Sequence, residues 1–218
     1  MRHQLWTTTL LLGTVAFAAP SANAQMAAGH MLEQPMATSG SDLRVALNNL
    51  MAEHAQLGLA ATAAALGGRS GEFQAAAAAL DANSVSLSQA IGSVYGQGAQ
   101  DAFLALWRKH IGFIVDYTTG VASKDQKKED KAVNDLLGYT KDFGAFLAAA
   151  NPNLPANVVA DLVKSHVVGF KAAIDAQSKS DWTTAWAKTR EAVMHMQMIA
   201  DPLADAIAKQ FPEKFASR

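Results

Sequence analysis

The chain of 218 residues contains no cysteine. That absence excludes disulfide staples, thiolate zinc sites, iron–sulfur clusters, covalently attached haem and cysteine nucleophiles together. A dominant charge is missing as well: 18 Lys and Arg stand against 19 Asp and Glu. Such a chain lacks the basic face that neutralises phosphates, so nucleic acid is not an expected partner. Aromatic residues make up only 7% of the chain, whereas half of it is apolar and rich in alanine. Hydrolytic motifs are also lacking: there is no Gly-x-Ser-x-Gly elbow, no phosphate-cradling glycine loop and no His-Glu-x-x-His helix. What remains is six histidines on a chain long enough for one domain or two small ones.

Residues 1–24 have the pattern of a secretory signal peptide. Arg2 supplies the positive start, Leu5 to Ala19 the apolar stretch, and Ala22-Asn23-Ala24 a small-x-small cleavage site before Gln25. The apolar stretch is too short for a comfortable membrane span, so none is expected after cleavage. With no Cys to carry a lipid anchor, the expected location is the periplasm or the exterior. Residues 25–41 are expected to form a flexible arm, with Gly29, Pro35 and Gly40. The arm carries Met26, His30, Met31 and Met36. Thioether and imidazole suit Cu(I), although a linker with incidental Met explains them as well.

Residues 42–218 are expected to form a single all-α domain. Apolar residues recur at spacings of three and four, and breaks fall at Gly67-Gly68, Tyr95 to Gly98, Ser123 to Asp125, Asn151 to Pro155 and Ser178 to Ser180. Five turns give six helices, with Ser70 and Ser180 as expected N-caps and Pro155 in a first helical turn. Pro202 is expected to kink the last helix or to end its first part near Asp201.

His54, His110 and His166 are spaced by 56 and again by 56, each preceded by a leucine four residues earlier. The spacing suggests a hairpin repeated three times, over residues 42–94, 98–150 and 154–210, in a six-helix bundle with ferritin-like, four-helix-bundle-like packing. Reflecting each histidine through its turn gives Asn83, Tyr139 and His195, each 29 residues on. At 1.5 Å per residue both members of each pair lie roughly 20 Å from the turn. A polar layer of His54, Asn83, His110, Tyr139, His166 and His195 is therefore expected across the bundle. The neighbouring apolar stripes include Leu47, Leu50 and Leu57 before and after His54, and Phe103, Leu106 and Phe113 around His110. On the last helix Ala192, His195, Met198, Ile199 and Leu203 share the expected face.

Buried imidazoles cost free energy unless bonded or ligated. A structural network that fixes helix register would satisfy any one of them. For the set, a metal centre is the functional alternative. The candidate ligands are His54, His110, His166, His195, Glu191, Tyr139 and Met198. Glu191 lies one turn before His195, as Asp135 does before Tyr139, whereas Glu53 adjoins His54 about 100° round the helix. Histidine with methionine favours copper, and carboxylates favour iron, zinc or manganese. Storage, delivery or sensing fits better than catalysis, because no acid–base or nucleophile set emerges. A helical interaction or scaffold module with a structural polar layer is the first alternative. A di-iron or haem redox protein is the second, although the Glu-x-x-His pairs usual in di-iron bundles are absent. Protein partners and oligomeric state stay open.

The strings Leu-Trp-Arg-Lys-His-Ile (residues 106–111) and Asp-Tyr-Thr-Thr-Gly (residues 116–120) resemble parts of an uncharacterised secreted helical domain of bacterial proteins. Some of those proteins carry copper-related labels inherited from neighbouring domains. The resemblance spans the mature region and implies a helical fold with a leaning towards copper; it implies no site residues.

Overall fold

The computed structural model describes residues 39–215. The expected signal peptide and residues 25–38 of the expected arm lie outside the described residues. Six long helices follow one another: α1 (Gly40–Leu66), α2 (Ser70–Tyr95), α3 (Gln97–Ser123), α4 (Gln126–Ala150), α5 (Ala156–Ser178) and α6 (Trp182–Gln210). A short α7 (Pro212–Phe215) follows, and no strand occurs among the described residues. All five breaks fall where the turn residues place them.

Three N-termini carry a side-chain cap. Ser39 accepts from Asp42 N at 3.2 Å, Asp125 from Lys128 N at 3.1 Å and Asp181 from Thr184 N at 3.1 Å. Each such cap satisfies an otherwise orphaned amide and contributes about 1 kcal/mol. The two expected serine caps are displaced by one residue. Ser70 is already inside α2, which starts without a side-chain cap. Ser180 takes the left-handed turn conformation, φ 56°, which leaves the capping position to Asp181. Nor does Pro202 end α6, which runs through it to Gln210. The ring removes only the hydrogen bond to the carbonyl four residues back, that of Met198, on the exposed side of the helix.

Each long helix packs along the next, and α6 returns against α1. The α1–α6 pair is antiparallel, with Arg44 paired to Asp205 and Asn48 donating to Asp201 at 2.7 Å. Between α2 and α3, Arg108 grips Asp81 through two hydrogen bonds of 2.7 and 2.8 Å. The odd-numbered helices also touch one another: α1 meets α3 and α5, and α3 meets α5. They therefore line the centre of the bundle.

Leucines of α1 (Leu43, Leu47, Leu50) fill that centre with Phe103 and Trp107 of α3, Phe143 of α4 and Phe170 of α5. Two close approaches need glycine. A Cβ at Gly58 would stand 2.7 Å from the Phe170 ring, and one at Gly144 would collide with the Ala156 carbonyl oxygen. Among the described residues no helix is long and apolar enough to cross a membrane.

Candidate functional site

The 56-residue spacing puts His54 on α1, His110 on α3 and His166 on α5, the three helices that meet at the centre. All three imidazoles are buried. The Nε2 atoms of His54 and His110 stand 3.4 Å apart. The His166 ring centroid lies 5.9 Å from that of His54. Aromatic rings wall the cluster. Trp107 sits 4.8 Å from His54 and 4.6 Å from His110, and Tyr139 stacks on His110 at 4.9 Å. Phe170 closes the far side, 5.2 Å from His166.

Burial decides the charge of these groups. Desolvation, assisted by His110 and His166, holds His54 well below the ordinary imidazole range. His110 falls to about 3, mainly through burial and then through His166, against a weak opposing contact with the Trp107 backbone that falls short of hydrogen-bond geometry. His166 falls to about 4, through burial and then His195. All three are neutral at pH 7, the form with a free ring lone pair. Burial also raises the Tyr139 hydroxyl well above the usual phenol range, so it remains protonated.

Hydrogen bonding in the cluster is incomplete. The Nδ1 atoms of His54, His110 and His166 have no partner, nor do the Tyr139 hydroxyl and Trp107 Nε1. Each unsatisfied buried polar atom costs about 1–3 kcal/mol. The 3.4 Å contact is long for a hydrogen bond between two ring nitrogens. It matches the edge of a tetrahedron around an ion with bonds of about 2.0–2.1 Å, which is about 3.3–3.4 Å.

The remaining members of the expected layer lie outside this cluster. Asn83 donates to Leu50 O at 2.9 Å and to Glu53 Oε2 at 2.7 Å. His195, half-buried on α6, bonds through Nε2 to Leu162 O at 3.0 Å. Glu191 is exposed and held by Lys188 at 2.7 Å. Met198 is 57% exposed, whereas Met196 is 1% exposed. The core face of α6 runs through Ala192, Met196, Ile199 and Leu203, a spacing of four, three and four. That register turns Met198 and Glu191 away and leaves His195 on the flank. On α3 the register is likewise rotated from the expected stripe: Trp107, not Leu106, joins Phe103 and His110 in the core.

The structure thus brings together His54, His110, His166 and Tyr139, leaves His195 at the flank on the Leu162 carbonyl, and turns Glu191 and Met198 out to solvent. Trp107 is the neighbour that periodicity passed over, although its place three residues before His110 was the available signal. Among the described residues no group of three or more His, Cys, Asp or Glu side chains is arranged to hold a metal ion. No protein-family model, curated protein or solved structure matches the chain.

Proposed function

We propose that the chain is an exported metal-binding helical protein in which His54, His110 and His166 hold one ion at the bundle centre for storage, delivery or sensing. The observation that carries this is the meeting of three neutral imidazoles from three helices, each with an unpartnered Nδ1, two of them with Nε2 atoms at the ligand–ligand spacing of a tetrahedral or trigonal site. In this reading His166, whose ring centroid lies 5.9 Å from that of His54, would supply the third nitrogen after a change of rotamer.

Copper is favoured over zinc or iron on electrostatic grounds. The cluster contains no carboxylate, so a divalent ion would leave two charges uncompensated in a dry core. Cu(I) carries one charge and accepts three imidazoles. Protonated Tyr139 stacks on the ring of His110 with its hydroxyl unpartnered, and is not read as a phenolate ligand. The residue pattern of Met1 to Ala24 supports export to the periplasm or beyond the cell.

The same reading takes the bundle as three hairpins, 42–94, 98–150 and 154–210, derived from one. Asn83 and His195, at matching positions, each reach a leucine carbonyl 33 residues earlier. Asn151 donates to the Tyr95 hydroxyl at 3.0 Å across a separation of 56. Ferritin-like packing of neighbouring helices belongs to this proposal, closed here through six members. A scaffold with a purely structural polar layer is the second reading. It draws on Asn83 and His195, which bond to helix carbonyls and not to the central histidines.

Metal content separates the two. Full-length protein purified from its expressing cells is loaded in turn with copper, zinc and iron, then desalted and analysed. One equivalent in the wild type, lost in His110→Leu and His166→Leu, is the expected result. No retained metal, or one equivalent retained by both variants, removes the proposal. A Soret band in the purified protein moves the assignment to haem.

A further inference from the structure

Four methionines fall among the described residues, and they divide sharply. Met51 and Met196 are each 1% exposed, whereas Met194 and Met198 are 56% and 57% exposed. The exposed two lie one turn apart on α6, so their Cβ atoms are about 5–6 Å from each other. Two long, flexible thioethers at that spacing can bracket one soft cation.

His195 lies between that pair and the core. At 100° per residue, Met194 and Met198 stand about 100° and 60° to one side of it, and buried Met196 and Ile199 about 100° and 40° to the other. Its Nε2 donates to Leu162 O, which leaves Nδ1 as the ring nitrogen free of that bond. Leu162 lies one turn before His166 on α5, so the His195 contact falls one helical turn from the central cluster. Glu191, on the same side of α6, is tied to Lys188. The thioethers and the His195 Nδ1 are thus the soft or borderline donors between solvent and the central histidines.

We propose that Met194, Met198 and His195 form a surface port that captures Cu(I) and passes it by ligand exchange, without change of oxidation state, to His166 and the buried cluster. The delivery step rests on the metal-centre reading above; capture by the thioethers does not. It accounts for two features that packing leaves unexplained, a pair of methionines held in water and a histidine on the flank of the core.

Ag(I), a redox-inert stand-in for Cu(I), tests capture directly. In full-length protein labelled with 13C-methyl methionine, the Met194 and Met198 methyl signals should shift at substoichiometric Ag(I), ahead of Met51 and Met196. They should do so in His54→Leu/His110→Leu protein as well. Cu(I) delivery is followed by quenching of Trp107 in a Trp6→Phe/Trp182→Phe/Trp186→Phe background, which leaves it the sole tryptophan. Met194→Leu/Met198→Leu conserves volume at exposed positions and should slow that quenching about ten-fold or more, the range in which supporting groups contribute to metal affinity. Unmoved methyl signals overturn the port. Shifted methyls with an unchanged quenching rate overturn delivery. Shifted methyls with no quenching at all mean that the central site has failed while surface capture survives.

Discussion

Acid should weaken the metal-free protein well above the pH at which its carboxylates protonate, because three histidines fold in the neutral form. His110 and His166 have native values of about 3 and about 4, and burial holds His54 well below its ordinary 6.5. In the unfolded chain all three take up protons near 6.5, so between that pH and the native values the unfolded state binds more protons. Stability is then fully present above about pH 6.5 and declines as the pH falls. At pH 5.0 an unfolded histidine is 1.5 units below its pKa, which favours unfolding by about 2 kcal/mol for each histidine still neutral in the native state. Three give about 6 kcal/mol, comparable with the whole stability of many domains. With a urea slope of about 2 kcal/mol/M, the midpoint should fall by about 3 M between pH 7.5 and 5.0 in chelator-treated protein. His110→Leu should remove about a third of that fall. A midpoint that moves by less than about 0.5 M would show that these imidazoles are charged or solvated in the native state, and the account of the centre would fail with it.

The same cluster should be a point of stored instability at neutral pH. His166→Leu removes an unpartnered Nδ1 and should raise metal-free stability by about 1 kcal/mol at pH 7.5, read by urea melting; a loss above 1 kcal/mol would contradict this. Gly144→Ala drives a methyl group into the Ala156 carbonyl where α4 meets α5, and should cost about 2–3 kcal/mol, visible as a lower thermal midpoint. Asn83→Leu breaks the tie to the Leu50 carbonyl and should cost about 1 kcal/mol without changing the fall in stability between pH 7.5 and 5.0.

Helix boundaries were legible because they depend on local chemistry. Gly67-Gly68, the glycines around Gln97 and the prolines around Asn153 break helices wherever they stand. The convergence of His54, His110 and His166 was legible for a related reason. Equal spacing and short turns leave little freedom in height, and mid-stripe positions leave little freedom in facing. Facing was harder to read on α6, where Met194, His195, Met196 and Met198 present apolar or ambiguous side chains on every side. There, a rotation of about 100° separates core from solvent, and only packing against α1 and α5 selects Met196 over Met198. Asn83 and His195 each reach a neighbouring helix carbonyl, and that reach depends on side-chain torsions that periodicity does not encode. The cap at Asp181 was missed for a backbone reason, because Ser180 occupies the left-handed turn.

The most direct measurement of the central claim is X-ray absorption at the copper edge of protein loaded with one equivalent of Cu(I). Ion held by the buried histidines should show two to three nitrogen neighbours at about 2.0 Å with the outer-shell signature of imidazole and no sulfur neighbour near 2.3 Å. That signature should vanish in His54→Leu/His110→Leu/His166→Leu. A sulfur-dominated spectrum, or a nitrogen spectrum unchanged by the triple substitution, would place the metal elsewhere and contradict the account.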